Sequence, residues 1–187
     1  MNNIAIFASG NGTNAEKIFQ DLQNDSEIKV ALVLTNNSKA GVISRAENLN
    51  IPVKVFSRTE FYQSNDVIDL LIKNEIQLIV LAGFLWLLPQ NLIEEFPSRI
   101  INIHPALLPK YGGKGMYGMN VHNAVIAAKE QESGITIHFI NEKYDEGEII
   151  LQEKCKILKD DSAEDLAKKV QQLEHEFYPK VIRHILK

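Results

Sequence analysis

Asn102 and His104 stand two residues apart in Asn102-Ile103-His104-Pro105, so on an extended strand both side chains leave one face while Ile103 leaves the other. Pro105 keeps His104 extended and ends the strand. An amide that can donate to a developing oxyanion, beside an imidazole that can move protons, suits acyl transfer. A structurally satisfied His–Asn pair would use the same residues without chemistry. Asp145, in the turn Glu142-Lys143-Tyr144-Asp145-Glu146-Gly147, would orient the ring and raise its pKa if the fold brought it within reach. An Asp beside Gly147 is also ordinary turn chemistry, and the sequence leaves the two readings open. His122, His138, His175 and His184 show no ligand spacing with a carboxylate or with Cys155, so no metal site is expected.

A second chemical segment is Gly10-Asn11-Gly12-Thr13-Asn14, placed where a strand turns into a helix. Glycines allow close backbone approach to an anion, and a helix N-terminus offers free N–H groups. The segment also fits the looser dinucleotide pattern Gly10-x-Gly12-x-x-Ala15. The next strand, however, ends in Thr35-Asn36-Asn37 without the acid that would hold a ribose diol. The Gly-Lys-Ser/Thr ending of a nucleotide P-loop is missing too. A phosphate site is expected here, in preference to a plain strand-to-helix turn.

These segments need a frame. Strands are expected at residues 4–8, 30–34, 52–56, 78–81 and 100–103. Helices are expected from the glycine-rich turn to about Leu22, at 45–49, 66–73 and 89–95. Strands that are apolar without alternation, separated by helices, indicate a parallel sheet covered on both faces and a doubly wound, Rossmann-like α/β fold. After residue 104 the pattern changes. Pro105, Pro109, Gly112, Gly113, Gly115 and Gly118 mark a long loop, a helix follows at 120–129, and strands are expected at 135–140 and 148–157. A long final helix opens at Ser162 with Asp165 three residues on, and Leu166, Val170, Leu173, Phe177 and Val181 form its apolar stripe. About seven strands result, with an antiparallel C-terminal part. The 187 residues form one domain, with 1–104 the phosphate-binding half and 105–187 its extension.

Composition narrows the function classes. A net charge of −4 gives no broad basic surface, so binding nucleic acid through its phosphates is not expected. No apolar run reaches the ~18 residues a membrane span needs, and no charged leader precedes the first strand. The one cysteine, Cys155, cannot form an internal disulfide and reads as a small apolar strand residue. A cytoplasmic protein is expected.

Together the segments resemble the phosphoribosylglycinamide formyltransferase family. The carrying residues are Ser9-Gly10-Asn11-Gly12-Thr13-Asn14, Leu81-Ala82-Gly83-Phe84, and Asn102-Ile103-His104-Pro105-Ala106-Leu107-Leu108-Pro109. Tyr144-Asp145-Glu146-Gly147-Glu148-Ile149-Ile150 and Glu174-His175-Glu176-Phe177-Tyr178-Pro179 complete the order. The resemblance implies the formyltransferase fold and formyl transfer from 10-formyltetrahydrofolate, a co-substrate, to the amine of phosphoribosylglycinamide in purine synthesis, without a metal. It implies Asn102, His104 and Asp145 as catalytic residues, the Asn and the protonated His stabilising the oxyanion. It implies Gly12, Thr13 and Asn14 around the substrate phosphate, with Gln171 and Glu174 on the rest of that substrate. Leu85, Trp86, Leu87 and Leu88, with Asn102 and the turn residues Asn141, Glu142, Lys143, Tyr144 and Asp145, are implied around the reduced folate. A monomer or homodimer is compatible with this reading.

The sequence departs from the family pattern twice. Trp86 stands where many relatives carry Arg, and the loop at residues 110–119 is longer than the compact family form, either as a mobile lid or as an ordered loop. Two relatives on the same scaffold compete. Formyltetrahydrofolate deformylase carries an added N-terminal regulatory domain and a second His in place of Pro105. Methionyl-tRNA formyltransferase needs a further C-terminal domain, whereas this chain ends at Lys187. From another class, a nucleotide-binding protein without chemistry would leave Asn102, His104 and Asp145 idle.

Overall fold

The computed structural model describes residues 1–142 and 145–187. Strands β1 (Asn2–Phe7), β2 (Ile28–Thr35), β3 (Val53–Val55), β4 (Ile76–Leu81), β5 (Ile100–His104), β6 (Glu132–Phe139) and β7 (Ile149–Lys156) form one sheet in the order β3-β2-β1-β4-β5-β6-β7. The first five run parallel, and β6 and β7 continue the sheet antiparallel. Both faces are covered, as unalternating strands require. Ile4, Ile6 and Ala8 enter one core with α1 (Thr13–Leu22), α2 (Val42–Glu47), α6 (Met119–Ala127) and α7 (Ala163–Leu186). Ala5 and Phe7 enter the other with α3 (Arg58–Tyr62), α4 (Asp66–Lys73) and α5 (Gln90–Glu95).

The topology positions the site. From β1 the chain moves outward to β2 and β3, then returns through α3 and α4 to β4 on the other side of β1. The strand order reverses there, so the segments leaving β1 and β4 diverge and open a crevice at the carboxyl ends. β5 ends beside it, and β6 returns antiparallel along β5, which brings the β6–β7 turn back to the same end.

Two features differ from the sequence expectation. The first is α3, a five-residue helix too short to show a period. It is started by a capping box in which Ser57 accepts from the Glu60 N–H and Glu60 accepts from the Ser57 N–H. The second lies in α7, whose Ser162–Asp165 capping box forms as expected. Leu166, Val170 and Val181 are buried, but Leu173 and Phe177 are only half-buried, whereas Tyr178 and Ile182 are deeply buried. The inward row runs every fourth residue through Leu166, Val170, Glu174, Tyr178 and Ile182, following an i±4 ridge. Glu174 therefore stands in the apolar row.

Tyr178 ties this helix to the sheet. Its buried hydroxyl lies 2.9 Å from the carbonyl oxygen of Leu81 and 3.2 Å from that of Ile101, at the ends of β4 and β5 where the crevice opens. Replacing Tyr178 with Phe removes the donor but keeps the ring, so chemical denaturation should show a loss of about 1–2 kcal/mol with the fold retained.

Candidate active site

A cavity of about 980 Å³ lies at the carboxyl ends of β1, β4 and β5, at the upper end of the size range for small-molecule sites. One arm is built by the turn after β1. Gly10, Asn11, Thr13 and Asn14 line it, and Thr13 and Asn14 open α1, so free N–H groups face the cavity. Gly12 lies beneath this surface, at φ 77°, and an added Cβ would come within 2.6 Å of Val42. It shapes the turn but does not line the cavity, whereas Gly10 and Asn11 of the same expected phosphate segment do line it.

From α7, the Gln171 amide donates to the Thr13 hydroxyl at 3.2 Å, and the Asn14 amide donates to Glu174 at 3.0 Å. All four side chains line the cavity. Burial in the apolar row pushes the Glu174 carboxyl up to about 7, and the single Asn14 hydrogen bond only partly opposes this. The Asn14 side-chain oxygen is buried without a hydrogen-bond partner among the described residues. An amide carbonyl in that state is an acceptor ready for a ligand donor.

The centre of the cavity is built by β5 and β6. Asn102 faces His138 and His104 faces Thr136 in the antiparallel register. The Asn102 amide nitrogen lies 3.2 Å from His138 Nε2, and His138 Nδ1 lies 2.9 Å from the Phe139 carbonyl oxygen. A carbonyl can only accept, so Nδ1 carries a hydrogen, and in the neutral form of the ring Nε2 accepts from Asn102. That fixes which way the Asn102 amide points and leaves its second N–H for the cavity. His138 was missed in the sequence because its only signal is a polar residue inside the strand Ile135-Thr136-Ile137-His138, and its partner depends on a non-local strand pairing.

Asp145 reaches both imidazoles. Its carboxylate oxygens lie 3.6 Å from His104 Nδ1 and 3.7 Å from His138 Nε2. Two backbone devices put it there. Gly147 passes so close to the end of β6 that a Cβ would lie 1.7 Å from the Phe139 carbonyl oxygen, and Asp145 itself takes a left-handed φ of 51° that Asp tolerates. The Gly113 N–H donates to the same carboxylate at 2.9 Å, and His104 Nε2 donates to the Tyr111 carbonyl at 2.7 Å. The long loop is thereby drawn against the catalytic candidates, and residues 113–119 form a wall of the cavity.

Opposing effects act on His104. Burial pushes the His104 imidazole down, and the upward pull of Asp145 and of the Tyr111 carbonyl does not overcome it. Asp145 does raise His104, but desolvation is the larger effect. Burial also pushes Asp145 up, yet His138, the Gly113 N–H and His104 outweigh it and hold the carboxyl below its ordinary value. An imidazole and a carboxylate thus stand side by side, each held below its ordinary value.

The second arm is apolar. Leu85, Trp86, Leu87 and Leu88 line it, with Leu85 and Leu87 exposed, and Ile140 and Asn141 close it opposite. The segment is held by the Leu85 N–H donating to Ser9 and by the Tyr62 hydroxyl donating to the Leu87 carbonyl. Trp86 stacks on Tyr62 with ring centroids 5.8 Å apart, under the Arg58 guanidinium at 4.9 Å. Its ring extends an aromatic cluster with Phe56 and Phe61, which accounts for its place on this segment. Glu142 is exposed and does not line the cavity, while Lys143 and Tyr144 lie outside the described residues. Among the described residues no cluster of three or more His, Cys, Asp or Glu is arranged to hold a metal ion, and no helix is long and apolar enough to cross a membrane.

Comparison with known proteins places this geometry. The formyl transferase family model matches residues 2–182. The phosphoribosylglycinamide formyltransferase of Haemophilus influenzae is 38% identical over 188 residues, covering 98% of this chain and 86% of that protein. The chloroplastic phosphoribosylglycinamide formyltransferase of Arabidopsis thaliana is 41% identical over 185 residues, covering 96% of this chain. This chain spans 63% of the length of the Arabidopsis protein and 59% of its counterpart from Vigna unguiculata. The crystal structure of glycinamide ribonucleotide transformylase 1 from Geobacillus kaustophilus matches with a TM-score of 0.90 at 34% identity over 100% of both chains. The chain belongs to the phosphoribosylglycinamide formyltransferase family of enzymes.

Proposed function

We propose that this enzyme transfers the formyl group of 10-formyltetrahydrofolate to the amine of 5′-phosphoribosylglycinamide, a step of purine biosynthesis. The observation that carries this reading is the meeting of Asn102, His104 and Asp145 between a polar arm of backbone N–H groups and an apolar arm. The polar arm suits a phosphorylated sugar. Thr13 and Asn14 start the helix that receives the phosphate, and Glu174, once ionised, accepts hydrogen bonds from ribose hydroxyls with Gln171 beside it. The apolar arm suits a flat heteroaromatic ring, which Leu85 to Leu88 with Asn141 and Asp145 would enclose. The Trp86 indole lies in its aromatic cluster, so this arm offers backbone polar groups where many relatives also offer a guanidinium.

The chemistry is direct transfer. The amine nitrogen bonds to the formyl carbon, and the formyl oxygen becomes an oxyanion. Asn102 donates its free N–H to that oxygen, having been oriented by His138. His104, neutral in the free site, takes the proton the amine releases, and Asp145 at 3.6 Å offsets the charge of the imidazolium. The C–N bond to tetrahydrofolate then breaks, and the proton passes from His104 to the departing nitrogen. Cys155 lies on β7, away from the cavity lining, and no covalent formyl-enzyme is required.

Two measurements test this reading. A formyl-transfer assay with phosphoribosylglycinamide, with a control lacking the amine, should show acceptor-dependent transfer. In that assay His104→Ala should lower kcat by roughly 10²–10⁴-fold while circular dichroism stays unchanged. Near-normal turnover by the folded variant would remove His104 from the mechanism. The second uses Glu174. Its carboxyl is raised from 4.5 to about 7, so across that window the folded state holds a proton that the unfolded state has lost, and this group's contribution to stability falls as pH rises. Glu174→Gln removes that slope. Denaturation at about pH 5 and about pH 8 should therefore show the variant gaining on the wild type as pH increases.

A further inference from the structure

We propose that Arg45 is a positioning residue for the phosphate arm, holding Asn11 in the turn after β1 so that it presents only donors to the cavity. The inference rests on the proposed phosphoribosyl substrate and goes beyond it by naming what makes the turn accept a dianion. Arg45 projects from the last turn of α2 and grips Asn11 twice, Nε donating to its carbonyl oxygen at 2.8 Å and Nη2 to its side-chain oxygen at 3.2 Å. Both acceptors of Asn11 are thereby occupied. What Asn11 has left for the cavity is its amide NH₂, beside the N–H groups that open α1. Without the guanidinium the side-chain amide is free to turn its oxygen toward the anion, and the carbonyl is free to repel it.

The same guanidinium pairs through Nη1 with Glu16, the acid in the first turn of α1. A carboxylate in that turn would otherwise oppose an incoming phosphate across a few ångströms of partly exposed surface. α2 holds Arg45 in place by close packing. A Cβ on Gly41 would lie 2.8 Å from the Asn11 side-chain oxygen, and Val42 lies directly under Gly12. The fork geometry of guanidinium allows three acceptors in fixed directions, which an ammonium does not.

Kinetics with the phosphorylated substrate and its dephosphorylated riboside, together with calorimetric titration of ribose 5-phosphate, test this. Arg45→Ala should raise KM for the phosphorylated substrate and weaken ribose 5-phosphate binding by roughly 10–100-fold, as loss of charge-assisted hydrogen bonds predicts. KM for the riboside and for the folate, and kcat, should stay near wild type. Arg45→Lys should fall between, and Glu16→Gln added to Arg45→Ala should recover part of the loss. Arg45→Gln, which keeps the stem, replaces Arg45→Ala if that variant does not fold. Equal losses for phosphorylated and dephosphorylated substrates, an unchanged KM, or no measurable ribose 5-phosphate binding by the wild type would overturn the inference. Arg45-dependent ribose 5-phosphate binding in a wild type without formyl transfer would instead overturn the proposed reaction and leave the role of Arg45 standing.

Discussion

The site depends on the antiparallel return of β6 beside β5. That one pairing puts His138 across from Asn102 and Thr136 across from His104, and it sends the β6–β7 turn back over the carboxyl end of the parallel sheet. A further parallel strand would have needed a crossover, and its connection would have delivered a different set of residues. Thr136 makes the same junction hold the chain beyond His104, accepting from the Leu108 N–H at 3.0 Å and donating to the Ala106 carbonyl at 2.7 Å. The strand that presents the chemical groups and the loop that walls them in are thus fastened to one neighbour.

Burial and charge compete at each titratable group in the crevice, and they are settled differently by the partners available. Asp145 has three polar neighbours and remains ionised despite desolvation. His104 has one carboxylate and one carbonyl, and desolvation wins. Glu174 has a single amide and rises to about 7. The difference lies in the hydrogen bonds and charged neighbours together that favour the charged form, set against burial. A carboxylate in the i±4 row of a long helix costs stability.

The two arms are supported by different physics. The polar arm is shaped by close backbone approach, with Gly12 against Val42 and Gly41 against Asn11. The apolar arm is shaped by aromatic packing, in which Phe7, Phe56, Phe61 and Tyr62 pack against Phe84 and Trp86 of the segment 84–88. Donors aimed at an anion need rigid placement, whereas an apolar wall needs area and shape more than direction.

The sequence by itself determined the doubly wound class, the strand face shared by Asn102 and His104, and the helix that starts at Thr13. These follow from local periods and from backbone rules that act over a few residues. It also determined the start of α7, because a capping box is closed within four residues. Only the tertiary structure decided that Asp145 lies 3.6 Å from His104, that His138 faces Asn102, and that burial lowers the His104 imidazole. The first two rest on pairing between strands about thirty residues apart, and the third on how much water the assembled crevice excludes. The same holds for α7, where the local period correctly showed an amphipathic helix but placed its stripe through Leu173 and Phe177. Which ridge of a 24-residue helix faces inward is set by the sheet it crosses, and that placed Glu174 in the buried row.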